Sequence, residues 1–294
     1  MKIPSVTIKN LLEAGVHLGH KTFRWNPKMS KFIFSSNKSI HIIDLVQTLE
    51  LINAALHKIH ECISSGGKIL FVSTKKQATD SIANLAKETS QYYVNHRWLG
   101  GMLTNFKTIS NSIKKYKKLS LDLKRENTGF TKKEILKMGI QRDKLERSLG
   151  GISEMKKIPD MIFIIDTNIE ELAVKESIKL NIPIVAILDT NSNPDGINYP
   201  IPGNDDARRA INLYCDLVKQ TIVNAQSNMS ENELPKDKII TKPQEEKESK
   251  KTKSKLFNQK EKKNEKNDKK IKVVKKISKS IISKVKSLAA KKTK

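Results

Sequence analysis

The run KILFVST at residues 68–74 decides the fold. Ile69, Leu70, Phe71 and Val72 are consecutive apolar residues, a stretch too short for a buried helix and continuous rather than alternating. A strand that is apolar on both faces belongs inside a parallel sheet covered by helices on either side. The same pattern returns at DMIFIID, residues 160–166, and at IPIVAILD, residues 182–189. Between and around these runs the apolar spacing changes to a helical one. Asp44 is placed to cap a helix reaching about Ser64, with Leu45, Leu49, Ile52, Leu56 and Ile59 on one face and Gly66-Gly67 behind it. Further helices are expected at Lys75–Glu88, at Ile169–Leu180 and from Asp205 to about Ala225. Strands alternating with helices of this length predict βαβ units and therefore a doubly wound α/β domain with a mostly parallel sheet, Rossmann-like or flavodoxin-like.

Working outward toward the N-terminus, Val6–Ala14 predicts a short amphipathic helix with Ile8, Leu11 and Leu12 on one side. A turn-rich stretch through Gly15, Gly19, Asn26 and Pro27 follows. Two short strands are expected at Lys31–Ser35 and Ser39–Ile43, around the polar turn Ser36-Asn37-Lys38.

The stretch between the second and third helix-strand repeats has a different rhythm. Met102, Phe106, Ile109, Ile113, Tyr116, Leu119 or Ser120, and Leu123 step by threes and fours, and so do Met138, Arg142, Leu145, Leu149 and Ile152. Narrow seams on two successive helices predict an inserted antiparallel coiled-coil α-hairpin over residues 107–157. KRENTGFT supplies the turn, and Thr131 with Glu134 forms a capping box for the second helix. A helix of about 22 residues reaches about 33 Å. The domain plan is then an α/β body at 1–106 and 158–227, the hairpin at 107–157 and a tail at 228–294.

Charge follows this plan. The chain carries 56 Lys and Arg against 31 Asp and Glu, a net charge of +25 over 294 residues. Residues 107–157 hold 15 basic and 6 acidic residues, and residues 231–294 hold 23 lysines and 9 acidic residues, so the body is nearly neutral. Clustered positive charge calls for a polyanionic partner. The tail is dominated by Lys, Glu, Asn and Ser, with Phe257 its single aromatic residue. It buries too little apolar surface to offset chain entropy and is expected to be a disordered Lys-rich extension. Val274, Ile277, Ile281, Val285 and Leu288 recur at helical spacing within it, which leaves three readings open: a solvated coil, a helix formed on RNA, or a helix on a lipid surface.

Several classes are excluded. No apolar run approaches the roughly 18 residues of a membrane helix. The N-terminus has no apolar leader of the secretory type. Two cysteines, Cys62 and Cys215, make neither a metal cluster nor a disulfide framework. The chemistry that a doubly wound sheet often carries is also missing. No G-x-G-x-x-G or Walker loop follows a strand. The phosphate-cradle position reads Ser73-Thr74-Lys75-Lys76, and no G-x-S-x-G elbow is present. Asn204, Asp205 and Asp206 read as a cap with acids at the start of the last helix. His17 and His20, in a turn, could hold a cation together with Asp189. His57 and His60 read as helix-surface or core-edge histidines. No catalytic residue, cofactor or metal is therefore assigned.

The polar and aromatic segments are more informative. GHKTFRWNPKM places Arg24 and Trp25 near Lys28, and VNHRWLGGMLTNFK places His96, Arg97 and Trp98 immediately before the hairpin. Basic groups beside planar rings suit phosphate contact with stacking on RNA, while the rings of Trp25 and Trp98 taken alone read rather as core or domain-interface residues. The expected RNA-binding set is Arg24, Lys28, Arg97, Lys107, Lys114, Lys115, Lys117, Lys118, Lys124, Arg125, Lys132 and Lys133.

The motifs AGVHLGHKTFRWNPKM, NHRWLGGMLTN, SLGGI, LDTNSNPDG and IPGNDDA, in collinear order over roughly Ile3 to Ala225, resemble the bacterial small-subunit ribosomal protein S-two family. The resemblance implies a Rossmann-like domain with a protruding coiled coil, lodged between the head and body of the small subunit. It further implies contact with small-subunit ribosomal RNA and with neighbouring small-subunit ribosomal proteins, including support for docking of ribosomal protein S-one. It implies a structural, non-catalytic role in translation in the cytoplasm, without a membrane partner. The family usually has glycine where this chain has Ser35. Its C-terminus is commonly short, so the lysine-rich extension has no counterpart.

Overall fold

The computed structural model of the chain describes residues 4–124 and 130–232. Its elements, in order, are α1 (Ile8–Ala14), β1 (Leu18–Lys21), β2 (Ile33–Asn37), β3 (Ile40–Ile43), α2 (Leu45–Ser64), β4 (Ile69–Val72), α3 (Thr79–Glu88), β5 (Tyr92–Val94), α4 (Phe106–Lys124), α5 (Lys132–Leu149), β6 (Met161–Ile165), α6 (Glu171–Lys179), β7 (Ile184–Leu188), β8 (Tyr199–Pro202) and α7 (Arg208–Asn232). Arg125 and residues 233–294, where most of the tail was placed, lie outside the described residues. Residues 228–232, assigned to the tail from composition, continue the last helix instead.

Five parallel strands form the main sheet in the order β5-β4-β6-β7-β8. Val72 pairs with Val94 on one side and Ile164 on the other, and Ile165 pairs with Ile187. The order reverses between β4 and β6, which is the switch point where doubly wound sheets open a crevice beyond the strand ends. β4, β6 and β7 are buried along their whole length, as continuous apolar runs require. Alternate residues serve the two faces. Ile69, Phe71, Phe163, Ile165, Val185 and Ile187 pack against α2, α3 and α7. Leu70, Val72, Ile162, Ile164, Ala186 and Leu188 pack against α6 and the root of the insertion, including Met102, Ile109, Ile113, Leu149 and Ile152. The two insertion helices thus contribute their inner ends to the second core layer, while α4 and α5 also pack against each other.

Three strands escaped the sequence reading. β5 has only three residues, and β8 is YPIP, where two prolines remove ladder donors and confine the strand to a sheet edge. β1 lies in the stretch expected to be turn; it joins β3 and β2 in a small antiparallel sheet of order β1-β3-β2. The β2–β3 turn is centred on Lys38 and Ser39, both with positive φ (49° and 62°), one residue later than expected. Positive φ at both central residues is the geometry of a two-residue hairpin turn. A short 3₁₀ helix at Pro27–Phe32 delays the first of the expected strands to Ile33. α1 starts at Ile8, capped by the Thr7 hydroxyl, and buries only Leu11; Ile8 and Leu12 face solvent.

Candidate nucleic-acid interface

The insertion presents its lysines as its periodicity demands. On α4 the buried residues are Ile109 and Ile113, and the remaining faces carry Lys107, Lys114, Lys115, Lys117, Lys118 and Lys124, all exposed. On α5, Lys132 and Lys133 are exposed in the first turn. Positive charge there opposes the helix dipole, at a cost of about 0.3–1 kcal/mol per charge. The capping box offsets it: Thr131 Oγ1 accepts from the Glu134 amide, and the Thr131 amide donates to Glu134 Oε2 at 2.9 Å. The Thr131 amide and the Thr131 hydroxyl, which also donates to Oε2 at 2.9 Å, hold the Glu134 carboxyl below its usual value.

The loop leading into α4 is fastened by a residue that the sequence reading did not single out. Glu176 on α6 accepts from the Trp98 indole at 3.0 Å and from the Gly101 amide at 2.8 Å. It also accepts from the Leu103 and Thr104 amides, both at 3.0 Å, and from the Thr104 hydroxyl at 3.1 Å. Burial pushes this carboxyl up, but the Thr104 amide, the Trp98 indole and the other amides outweigh it and leave it lowered. Trp98 is therefore a buried anchor rather than a stacking platform. Gly101, with φ +79°, turns the loop. Arg97, one residue before the anchor, is exposed.

Near the N-terminus, Arg24 is exposed, with its guanidinium 5.4 Å from the Phe23 ring centre. Trp25 is 39% exposed and tilts against His41, with ring centres 5.4 Å apart. Lys28 is also exposed, but its ammonium pairs with Asp195 and holds that carboxyl below its usual value. Arg24 and Lys28 thus lie on the stretch around the small antiparallel sheet, away in sequence from the lysine-bearing helices.

The crevice at the strand ends is filled from within. The helix expected from Lys75 starts only at Thr79, and Lys75 lies in the turn that leads into it. Its ammonium lies 2.7 Å from Asp205, 2.6 Å from Asp206 and 3.1 Å from Asp166. Burial opposes its charge, but these carboxylates outweigh burial and raise its pKa. The adjacent amide of Thr74, where a phosphate cradle would offer a donor, is bonded to Glu170 at 2.6 Å. Asp205 and Asp206 are therefore not simple acids at a helix start. Asn204 alone performs the cap, accepting from the amides of Asp206 and Ala207.

His20 lies on β1 rather than in a turn. Its Nδ1 lies 2.8 Å from Asp189 Oδ2, and its Nε2 is 3.6 Å from Asp206 Oδ2. The Asp189 hydrogen bond raises the His20 pKa against the effect of burial. Burial, with the charges of Asp166 and Asp189 added, pushes the Asp205 carboxyl up to about 7 against the pull of Lys75. Donor atoms of His20, Asp189, Asp205 and Asp206 lie within 4.8 Å of one another, a mixed imidazole and carboxylate set suited to a divalent transition-metal cation. His17, grouped with His20 from sequence, is not part of this set.

Fold and site together define a class: a doubly wound α/β scaffold whose switch-point crevice is occupied by its own charged side chains and whose exposed lysines sit on a helical insertion. Comparison with known proteins makes the assignment specific. The family model for ribosomal protein S2 matches residues 11–225. The small ribosomal subunit protein uS2 of Parvibaculum lavamentivorans is 56% identical over 223 residues, covering 76% of this chain and 88% of the relative. The proteins of the same name from Phenylobacterium zucineum and Caulobacter vibrioides are 58% and 56% identical over 223 residues, covering 76% and 83% of their own lengths. The chain belongs to the ribosomal protein S2 family.

Proposed function

We propose that the chain is a structural constituent of the small ribosomal subunit, acting in translation in the cytoplasm, and that it binds small-subunit ribosomal RNA through α4 and α5. The observation that carries this reading is the exposure of Lys107, Lys114, Lys115, Lys117, Lys118, Lys124, Lys132 and Lys133 on two adjoining helices of an otherwise nearly neutral body. Phosphate contacts by such lysines release condensed counterions and make binding strongly salt-dependent. Arg24, Lys28, Arg97 and Arg125 complete the proposed contact set. The two helices act as an antiparallel coiled-coil arm, with the body lodged between head and body of the subunit and supporting the docking of ribosomal protein S-one. Family membership and the relatives' names support the ribosomal assignment. A non-catalytic role accords with Lys75 and Glu170 taking the positions that a phosphate would need. Among the described residues no helix is long and apolar enough to cross a membrane.

Sedimentation of a tagged copy through a sucrose gradient tests the assignment; co-migration with the small subunit is expected, and migration as free protein refutes it. Changing Lys114, Lys115, Lys117 and Lys118 together to alanine is expected to lower subunit incorporation. It should also reduce the slope of log affinity against log salt by roughly 0.7–0.9 per lost phosphate contact. An unchanged slope in filter binding to the RNA would show that α4 does not touch phosphate. Recovery of protein S-one on purified subunits assembled with and without this chain tests the docking role: loss of S-one without the chain is expected, and equal recovery refutes it.

A further inference from the structure

A groove of about 500 Å³ runs beside the inner half of α5, between that helix and the loop that precedes the insertion. Its apolar floor is Leu99 and Ile140, and its walls carry Arg97, Lys144 and Arg147, with His96 at one end. Ile140 is 62% exposed, a large aliphatic residue left in solvent on a helix studded with charge. The groove's single carboxylate, Asp143, is held by Arg142 at 2.5 and 2.9 Å and does not neutralise the wall. Arg97, Lys144 and Arg147 enter no ion pair among the described residues. A second depression of about 470 Å³ shares His96, Asp143 and Arg147 and extends the trench toward α3, where Lys87 lines it together with the acids Asp80 and Glu146.

We infer that this groove receives an unpaired nucleotide of the RNA, its base lying on Leu99 and Ile140 and its flanking phosphates on Arg97, Lys144 and Arg147. The inference rests on the RNA-binding reading above and adds to it a single-stranded, base-contacting site distinct from the lysines of α4. The argument is one of paired chemistry. An apolar floor alone suits a protein side chain as well as a base, but three uncompensated cations around it favour a ligand that carries negative charge on both sides of a flat apolar surface. A nucleotide in a strand has that character. Unpaired RNA bases are splayed out of loops and bulges to meet protein surfaces and stack on planar groups such as the Arg guanidinium, and aliphatic side chains pack against base faces where they wedge between the steps of a DNA duplex. The groove volume lies within the range of sites that enclose small ligands.

The test uses the full chain and a transcript of small-subunit ribosomal RNA in filter binding over a series of salt concentrations. Ile140→Ser is expected to weaken binding about tenfold with an unchanged salt slope, because base contact carries no counterion release. Ile140→Phe should restore affinity. Lys144→Ala and Arg147→Ala should each lower the slope by roughly 0.7–0.9. Wild-type affinity for Ile140→Ser overturns the inference, as does an unchanged slope in both cation variants. If the α4 lysine variant loses slope while the groove variants behave as wild type, the groove alone fails. If the wild-type chain does not bind the transcript, both readings fail. A photo-crosslinking residue placed at position 140 in assembled subunits should form an RNase-sensitive adduct; an adduct to protein alone overturns the inference.

Discussion

Two residues with little to recommend them in the sequence hold distant parts of the chain together. Glu176 satisfies five donors of the 98–104 loop. A glutamine there keeps an acceptor but turns an NH₂ toward amides that need one. Glu176→Gln is expected to destabilise the fold by about 2 kcal/mol in urea unfolding at neutral pH. The folded state lowers this carboxyl from its ordinary 4.5. Its stabilisation is therefore present above that value and is lost as pH falls through the lowered one. The gap between wild type and variant should be widest above the ordinary value and close in acid; a gap independent of pH would disprove the charge's part. Lys75 carries a larger load, because three carboxylates around a nearly buried ammonium would be left uncompensated by its removal. Lys75→Met should cost about 3–5 kcal/mol, read from the same unfolding curves. A loss below about 1 kcal/mol would show that the carboxylates find other partners.

At the scale of the element, α5 depends on local chemistry for its outer end. No buried residue lies between Lys132 and Ser148, so packing holds that stretch only through half-buried positions such as Met138 and Leu145. Its first turn also carries two lysines at the positive end of the dipole. The Thr131–Glu134 capping box therefore matters more here than it would in a core helix. Thr131→Ala is expected to cost about 1 kcal/mol of local helix stability. Faster amide exchange confined to residues 132–136, with the sheet strands unchanged, is the expected signature; uniform protection would mean that packing holds this end. The inner end is different. Gly151 allows no side chain, since a Cβ there would lie 2.1 Å from the Tyr93 carbonyl oxygen, so the chain leaving α5 is pressed directly against β5. One insertion thus combines a fixed root with an outer part sustained by capping and a narrow seam.

Over the whole molecule, positive charge is separated from the parts that make the fold. The core layers on both sheet faces are built from body residues and the insertion's root, and the residues matched by the family model end at 225, before the lysine-rich extension. Truncation after Asn232, which keeps α7 whole, is therefore expected to leave thermal stability and subunit association intact while removing most of the excess charge outside the insertion. Loss of co-sedimentation by that shortened chain would transfer the principal RNA contact to the extension.

The three inner strands, the caps at Asp44 and Thr131 and the clustering of charge were all legible in the amino-acid order. Each is set by residues within one or two turns or along one short run, where apolar periodicity and capping chemistry act. The edge strands β5 and β8 were not legible, since three residues or two prolines carry no strand signal until a neighbouring strand supplies the hydrogen bonds. Nor were the separate fates of the two tryptophans: Trp98 is buried in the core layer on one face of the sheet, where Glu176, 78 positions away, accepts from its indole. Lys75 meets Asp166 and Asp205 across 91 and 130 positions. Parallel strands bring their carboxyl ends to one edge from far apart in the chain, and that convergence, rather than any local pattern, turned an expected helix start into the ammonium that fills the crevice.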